Sequence, residues 1–588
     1  MSTILETIQA AYATAQSGRP TQAIDDLRRS LRLHADNPDL HHHLGILFLQ
    51  MGQRDSGMFH LERAALHGPD NPEIQSNFAT ALNMMGRSAD AVNAFRAAIK
   101  ARETWFPAQL GLASALIGTN NFKDAAAAAR RATELSPQRA EAWINLSIAL
   151  HRSGRGPECM KALRDGLAHV PSNPLLLVML ANVALASPEV ATPEVYDIHR
   201  QAGAALTAAA GSAFAPILAD VNPERSLRIG YLAHDLRDRS LAPLILPILA
   251  AHDRAGFQPV VYSASPLSEA VNAELHAAGT TGIDASQLGD AGLDQRIRGD
   301  RIDILIDLSG HTPGSRLWAM ARRPAPVQIS YLGYPCTTGL KSIGHRIVDA
   351  ITDPEGGEDL STEKLVRLEG CAACYQPPEG EISPPPSDRT GHIRFASFCP
   401  VPRITEQMSE VWSRILKAVP GSELTIAAPG ADSVWTQEHF RELFGRHGVE
   451  GQRLRFQPPG AGWNAAVYHD VDIALDTSPW NGLASTCDAL WMGVPVVSLA
   501  ADRAAGRVGR SLLTACGQPD LVASTAGAYV DLAVALAQDS PRRAGLRRSL
   551  RDTMKRSPIM DGAGVTRRLE AVYRTLWREW CGKVYYTE

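Results

Sequence analysis

The sequence predicts an α plus α/β chain, in which an array of paired helices precedes two α/β halves with parallel sheets. Two observations predict this fold class. Residues 4–173 repeat with a period of 34 residues, which is the length of a helix–turn–helix repeat. After Pro223 short apolar runs alternate with helical stretches, as in a doubly wound sheet. We expect three domains, over residues 1–205, 206–388 and 389–588.

The repeats are marked by residues that recur at fixed phases. Helix starts are indicated by Asn37-Pro38, Asn71-Pro72 and Asn173-Pro174. Left-handed turns are expected at Gly18, Gly52, Gly86 and Gly154, with Asn120 in the missing place. Close helix contacts are expected at Ser30, Ala64, Ala98, Ala132 and Gly166. The pattern resembles tetratricopeptide sequence, with five repeats and a weaker sixth from Pro174. Stacked repeats form a superhelix whose groove usually binds a protein segment, although a purely oligomerising or spacing array is the alternative.

Each α/β half contains apolar runs that read as buried strands. The first half has 227–233, 259–263 and 302–308, and the second has 393–398, 424–427, 454–456, 471–475 and 495–499. A proline-rich linker at 379–388 separates the halves. Two Rossmann-like halves fit the GT-B architecture of glycosyltransferases, with a nucleotide sugar in the cleft beyond the carboxyl ends of the strands. Because neither half carries GxGxxG with a following acidic residue, a nicotinamide or flavin enzyme is disfavoured.

Composition excludes several other classes. The formal net charge of −4 leaves no basic surface for nucleic acid or anionic membrane. No apolar run approaches the roughly 18 residues of a membrane span, and the N-terminus lacks the basic region of a signal peptide. A cytoplasmic location is expected. Cys371 and Cys374 form a lone CxxC without a second ligand pair, so reduced thiols are expected and no metal.

The turn at Asn481-Gly482 is a candidate phosphate site. It follows a predicted strand and precedes a probable helix that carries Ser485 and Asp488. Unpaired N–H groups at such a helix start attract phosphate, and a carboxylate one turn later accepts hydrogen bonds from ribose hydroxyls. The alternative is that Ser485 and Asp488 only support the start of the helix.

Two long segments resemble one family. Residues 323–339 (RPAPVQISYLGYPCTTG) and 476–499 (DTSPWNGLASTCDALWMGVPVVSL) are similar to stretches of the O-linked N-acetylglucosamine transferases of proteins and their bacterial relatives, and 506–517 (GRVGRSLLTACG) agrees. The resemblance covers essentially the whole chain. It implies an inverting transferase that needs no metal or cofactor and moves a sugar from a nucleotide-sugar donor to serine or threonine of a protein selected by the repeats. The implied donor-binding residues are Arg403, Asn481, Gly482, Ala484, Ser485 and Asp488.

Several positions depart from the family pattern. Arg239 replaces a histidine after the first strand, and Arg403 replaces a lysine that meets the donor's phosphates. Residues 458–466 (PPGAGWNAA) lack a lysine and a histidine, and Leu483-Ala484-Ser485 replaces His-Thr-Thr. Since stabilising the leaving phosphate is a main task of such an enzyme, the loss suggests a different donor or no turnover.

The reacting side of the cleft has three candidates, Asp235, Arg239 and His311. His311 lies just past a strand in the stretch 307–316, which resembles bacterial members, and either shuttles a proton or makes a structural hydrogen bond. UDP-N-acetylglucosamine is the donor that the resemblance implies. The missing cations make a CMP-activated nonulosonic acid, transferred to flagellin, a second hypothesis. An inactive repeat-based scaffold is the rival, a sugar-nucleotide epimerase ranks last, and the oligomeric state stays open.

Overall fold

A computed structural model describes residues 3–211, 220–237, 241–458 and 464–585 of the chain. The chain forms two compact units. The first unit contains Met1–Arg152 and Lys161–Val170, and the second contains Ser153–Met160 and Pro171–Glu588. The predicted change from helical repeats to parallel sheets is confirmed.

The first unit is built from antiparallel helix pairs. Its helices are α1 (Ile4–Gln16), α2 (Pro20–Leu33), α3 (Pro38–Gln50), α4 (Arg54–His67), α5 (Pro72–Met84), α6 (Ser88–Ala101), α7 (Phe106–Gly118), α8 (Phe122–Leu135) and α9 (Ala140–Arg152), and α10 (Gly156–His169) belongs partly to each unit. The Asn-Pro pairs start helices as predicted. Asn37 and Asn71 accept hydrogen bonds from the first-turn N–H groups of α3 and α5, and the proline takes a position where no N–H is needed.

The predicted turn and contact positions of the repeats are also confirmed. The turns between paired helices are left-handed at Gly18, Gly52, Gly86, Gly154 and Asn120. Ala64, Ala98 and Ala132 are completely buried where neighbouring helices approach, whereas Ser30 is half-buried. The 34-residue period therefore reports the spacing of packed helix pairs.

In the second unit, α11 (Pro174–Ala186) and α12 (Thr192–Ala210) precede the first sheet. Its strands are β1 (Leu227–Ala233), β2 (Phe257–Ser263), β3 (Thr281–Asp284), β4 (Ile304–Asp307), β5 (Val327–Tyr331), β6 (His345–Asp349) and β7 (Lys364–Leu368). The covering helices are α13 (Ala242–Ala251), α14 (Glu269–Ala277), α15 (Asp290–Gly299) and α16 (Leu317–Ala321). All strands pair in parallel in the order β3-β2-β1-β4-β5-β6-β7.

A second parallel sheet follows the linker. Its strands are β8 (Arg394–Ser397), β9 (Glu423–Ala427), β10 (Leu454–Gln457), β11 (Ile473–Leu475), β12 (Val496–Leu499) and β13 (Val522–Ala523), in the order β10-β9-β8-β11-β12-β13. The helices are α17 (Ser387–Thr390), α18 (Glu406–Ala418), α19 (Val434–Arg446), α20 (Ala466–His469), α21 (Ala484–Trp491), α22 (Val508–Ala515), α23 (Ala526–Gln538), α24 (Ser540–Lys555) and α25 (Gly562–Tyr585). Both sheets are therefore of the Rossmann type.

Two helices pack across the predicted domain boundaries. α25 contributes Leu569, Tyr573 and Trp577 to the core of the first sheet, although it follows the second sheet in sequence. α12 packs on α16 beneath the first sheet, and its residue Gly203 touches the loop at Gly339. The predicted boundary at residue 205 falls inside α12, and α25 packs on the first sheet although it lies beyond the predicted boundary at residue 388.

Candidate active site

The carboxyl ends of four central strands carry most of the predicted site residues. In the first sheet the strand order reverses between β1 and β4, which are followed by Asp235 and His311. In the second sheet it reverses between β8 and β11, which are followed by Arg403 and Asn481. Ligands of open α/β sheets bind at such switch points.

A pocket of about 550 Å³ lies between the two sheets of the second unit. The first sheet supplies the segment after β5 and the end of β6, including Tyr334 and Asp349. The second sheet supplies Leu483 from the start of α21 and Ser511 from α22. Ser511 donates its hydroxyl hydrogen to Asp349 over 2.8 Å, which connects the two sheets at the pocket wall.

A buried carboxylate shapes the loop after β11. Asp476 accepts hydrogen bonds from the N–H groups of Thr477 and Gly482 and from the Ser498 hydroxyl. Burial raises the pKa of Asp476 to about 6, and these hydrogen bonds oppose the rise. A Cβ at Gly482 would lie 2.1 Å from the Ser485 hydroxyl, so a larger residue there would require the Ser485 side chain to move. Asp476 thus takes the Gly482 N–H that we expected to meet a phosphate.

The first turn of α21 offers other backbone donors. Within the part of the chain that the structure describes, the N–H groups of Leu483, Ala484 and Ser485 have no acceptor. Of these three residues, Leu483 lines the pocket. A helix start with unpaired N–H groups binds anions. The phosphate site around Asn481-Gly482 stays a prediction, and residues 483–485 are the part of this turn whose N–H groups remain available.

Asn481 and Arg403 hold this loop together. Asn481 donates from Nδ2 to the Thr477 carbonyl over 2.7 Å and accepts the Gly509 N–H over 3.1 Å. Arg403 donates from Nη1 to the Asn481 carbonyl over 3.1 Å, and its guanidinium stacks 3.9 Å from the Trp480 ring. Both residues support the conformation of the loop.

Asp488 is buried on α21 and accepts a hydrogen bond from the Tyr375 hydroxyl. Tyr375 lies in the segment that connects the two sheets, and its own N–H donates to the Ile559 carbonyl over 2.8 Å. The connecting segment therefore fixes the carboxylate that was predicted to meet the ribose. Tyr375 was missed because a partner more than a hundred residues away leaves no local signal.

Of the three predicted reacting residues, Asp235 and His311 lie in the described part of the chain. Asp235 forms a two-point ion pair with Arg237, with distances of 2.8 and 3.0 Å to the carboxylate oxygens. Burial alone would raise the pKa of Asp235, but the hydrogen bonds from Arg237 outweigh it and lower that pKa, which makes the carboxylate a weaker base. Arg239 lies outside the described residues.

His311 is buried beneath the cleft. Its Nε2 donates to the Thr338 carbonyl over 2.8 Å, and its ring packs edge-on against His199 of α12, with 4.9 Å between ring centres. Burial lowers the pKa of His311 to about 3, so the imidazole stays neutral. Of the two roles weighed for His311, this environment favours the structural hydrogen bond.

A half-buried imidazole that the sequence reasoning missed follows β1 directly. The N–H of His234 donates to the Ser309 hydroxyl over 2.9 Å, and its Nδ1 lies 3.3 Å from the same oxygen. His234 therefore connects the ends of β1 and β4 at the switch point. Its position at the end of an apolar run was the available signal.

Among the described residues, no group of three or more His, Cys, Asp or Glu side chains is arranged to hold a metal ion. Cys371 and Cys374 are buried, and burial raises the pKa of the Cys371 thiol to about 11. Among the described helices, none is long and apolar enough to cross a membrane.

Two Rossmann-type sheets whose carboxyl ends share a pocket define the GT-B class of glycosyltransferases. The model of glycosyl transferase family 41 matches residues 213–371 and 389–569, and tetratricopeptide models match 15–79 and 110–174. The chain therefore belongs to glycosyl transferase family 41, behind an array of tetratricopeptide repeats.

Relatives with known names agree with this family. A protein of Petunia hybrida named probable UDP-N-acetylglucosamine–peptide N-acetylglucosaminyltransferase SPINDLY is 39% identical over 61% of this chain and 40% of its own length. Its Arabidopsis thaliana counterpart is 38% identical over 61% and 40%. The chain thus spans about 40% of the length of these relatives. A mutant of the Thermobaculum terrenum O-GlcNAc transferase superposes with a TM-score of 0.79 at 30% identity, over 87% of this chain and 98% of that one.

Proposed function

We propose that the chain transfers a sugar from a nucleotide-sugar donor to serine or threonine of a protein that the repeats select. The observation that carries the proposal is the start of α21 at the pocket. Leu483 lines the pocket, and the N–H groups of Leu483, Ala484 and Ser485 have no acceptor among the described residues. These donors suit the leaving phosphate, whose growing negative charge must be stabilised as the glycosidic bond breaks. Asp488, held by Tyr375, suits the ribose hydroxyls.

The acceptor hydroxyl must lose its proton during transfer. His234 and Asp235 follow β1 at the switch point of the first sheet, whereas α21 follows β11 at the switch point of the second sheet. Pairing with Arg237 lowers the pKa of Asp235 and makes its carboxylate a weaker base. His234 is therefore the first residue to test as general base, with Asp235 the second.

UDP-N-acetylglucosamine is the first donor to test, because the names of the relatives contain it. A CMP-activated nonulosonic acid, with flagellin as acceptor, is the second. One observation favours this second donor. At the first turn of α21 the side chains of Leu483 and Ala484 supply neither charge nor hydrogen bonds, which suits a leaving group with a single phosphate.

The test is intact-mass analysis of candidate acceptors, flagellin included, after separate reactions with each donor. Asp488→Ala removes the carboxylate for the ribose, and we expect nucleotide affinity to fall at least tenfold, which is about 1.4 kcal/mol. Asp531→Ala is the matched control, since Asp531 is an exposed carboxylate on α23.

A mass increment that is lost with Asp488→Ala and kept with Asp531→Ala establishes transfer, and its size identifies the sugar. If no acceptor gains mass and no nucleotide raises the melting temperature, the transferase proposal fails and the repeat-based scaffold is favoured.

A further inference from the structure

A second cavity, of about 470 Å³, lies in the second unit beside the pocket between the sheets. Three arginines line it, Arg346 at β6 and Arg503 and Arg507 before α22. Asp353 is the one carboxylate among the lining residues described. We call this space the arginine cavity.

Two of the three guanidinium groups are held rigidly. Arg346 and Arg503 are 4% and 6% exposed. Arg346 donates to Asp353 over 2.5 Å. The terminal nitrogens of Arg503 donate to backbone carbonyls after α11, among them Val190 at 2.6 Å. These contacts use the terminal nitrogens and fix both side chains against the cavity wall.

Hydrogen-bond capacity remains on all three groups. The Nε atoms of Arg346, Arg503 and Arg507 are buried and have no acceptor within the described ranges of the chain. For Arg507, no side-chain hydrogen bond is present among those residues at all. Single arginine Nε atoms lack acceptors elsewhere too, for example in Arg228, but here three share one cavity.

Carboxylates near the arginine cavity balance part of its positive charge. Asp353 lines the cavity with the three guanidinium groups, Asp502 lies 3.8 Å from Arg503, and Glu363 acts electrostatically on Arg346. Burial lowers the pKa of Arg503 and of Arg507, because charged groups lose hydration there. Arg346 pairs with Asp353 and Arg503 with Asp502, but no ion pair of Arg507 is present in the described part of the chain. A partly buried cation without an anionic partner is costly, so a bound anion would stabilise Arg507.

We propose that the arginine cavity binds a phosphate group. Guanidinium groups present several N–H donors in the geometry that phosphate oxygens accept, and the three unused Nε donors belong to side chains that line this one cavity. This site goes beyond the proposed function, because residues 483–485 do not line it. The cavity shares Pro335, Arg346, Asp353 and Ala504 with the pocket between the sheets. The phosphate therefore comes either from solution or from a nucleotide that reaches across these shared residues.

The test measures binding of inorganic phosphate and of pyrophosphate to the full chain by calorimetry, at constant ionic strength set with chloride. We expect saturable binding that Arg507→Gln weakens at least tenfold and Arg507→Lys weakens less. Arg548→Gln is the matched control, since Arg548 is exposed on α24 and its removal changes the net charge equally. Thermal melts of each variant confirm that it is folded.

Competition with UDP identifies the source of the phosphate. If phosphate and UDP bind together and Asp488→Ala leaves phosphate binding intact, the cavity takes phosphate from solution. If UDP displaces phosphate, a nucleotide fills the cavity. Absence of saturable binding to the wild type, or equal affinities of Arg507→Gln and Arg548→Gln, overturns the proposal. None of these readouts depends on sugar transfer, so the proposed function can fail independently.

Discussion

At the scale of single residues, the hydrogen bond from Tyr375 holds the Asp488 carboxylate, which we propose binds the ribose of the nucleotide. Tyr375→Phe removes the hydroxyl donor and leaves the ring in place. Hydrogen bonds to charged groups contribute about 1.5–3 kcal/mol, so we expect nucleotide binding to weaken tenfold or more. The measurement is the rise in melting temperature that UDP produces.

Tyr573→Phe is the control for Tyr375→Phe. Tyr573 is also fully buried, and its hydroxyl contacts Tyr231 at 3.3 Å in the core of the first sheet. We expect it to lower the melting temperature without changing the shift caused by UDP. Equal shifts in Tyr375→Phe and the wild type would contradict a role of this hydroxyl in nucleotide binding.

Sequence reasoning recovered residues whose signal is local and missed those whose partners are remote. Gly18 and Asn120 were predicted because a left-handed turn restricts the residue type at its own position. The burial of His311 was not foreseen, because α12 covers it from more than a hundred residues away. The Gly482 N–H was expected to bind a phosphate because the sequence does not show that the Asp476 carboxylate, six residues earlier, accepts its hydrogen bond.

Helix α3 gives the repeat array a dependence on pH. Burial lowers the pKa of His42 and of His60 on the facing helix to about 4, against an ordinary value of 6.5. As the pH falls, these two histidines are therefore protonated in the unfolded chain before they are protonated in the folded chain. The stabilising contribution of the neutral imidazoles is complete above pH 6.5 and is lost as the pH falls toward about 4. We therefore expect the repeats to unfold at a lower denaturant concentration as the pH falls from 6.5 toward about 4.

His42→Gln tests this dependence, because glutamine keeps a polar partner for Asn77, which lies 2.7 Å from His42, but does not titrate. We expect a smaller loss of stability between pH 6.5 and 4 than in the wild type. His276→Gln, an exposed histidine on α14, should leave the pH dependence unchanged. The same slope in His42→Gln and the wild type would contradict the assignment.

Helix α12 depends on a close backbone contact with the loop that carries Tyr334. A Cβ at Gly203 would lie 2.0 Å from the Gly339 carbonyl oxygen, so Gly203→Ala must push the helix from the loop. We expect the free energy of unfolding of the second unit to fall by about 1–3 kcal/mol in denaturant titrations. Ala204→Ser, at an exposed position of the same helix, should have little effect. A stable Gly203→Ala variant would show that the loop yields easily.

At the scale of the whole molecule, the sequence predicted the class of architecture but not that the last described helix, α25, packs on the first sheet. Alternating strands and helices predict two parallel sheets, because each βαβ unit leaves a local pattern. The return of α25 to the first sheet has no such pattern. Its apolar residues fit either sheet equally well, and only the packed structure shows that Leu569 and Trp577 face the first.

The return of α25 makes the stability of the first sheet depend on the end of the described chain. Trp577 is fully buried, donates from Nε1 to the Asn222 carbonyl over 3.2 Å and lies under the guanidinium of Arg225 at 4.6 Å. Trp577→Ala should therefore cost about 3–5 kcal/mol of folding free energy. Trp580→Ala, which removes a half-buried ring stacked on Trp577, should cost less.

Denaturant titration followed by near-UV circular dichroism measures both losses. Because β1 and α25 share one core, we expect Trp577→Ala to loosen the end of β1, where His234 and Asp235 lie, and so to reduce sugar transfer before the repeats unfold. If transfer and the melting of the second unit stay unchanged in Trp577→Ala, α25 does not support the site. The two-sheet core would then be stable without its last helix.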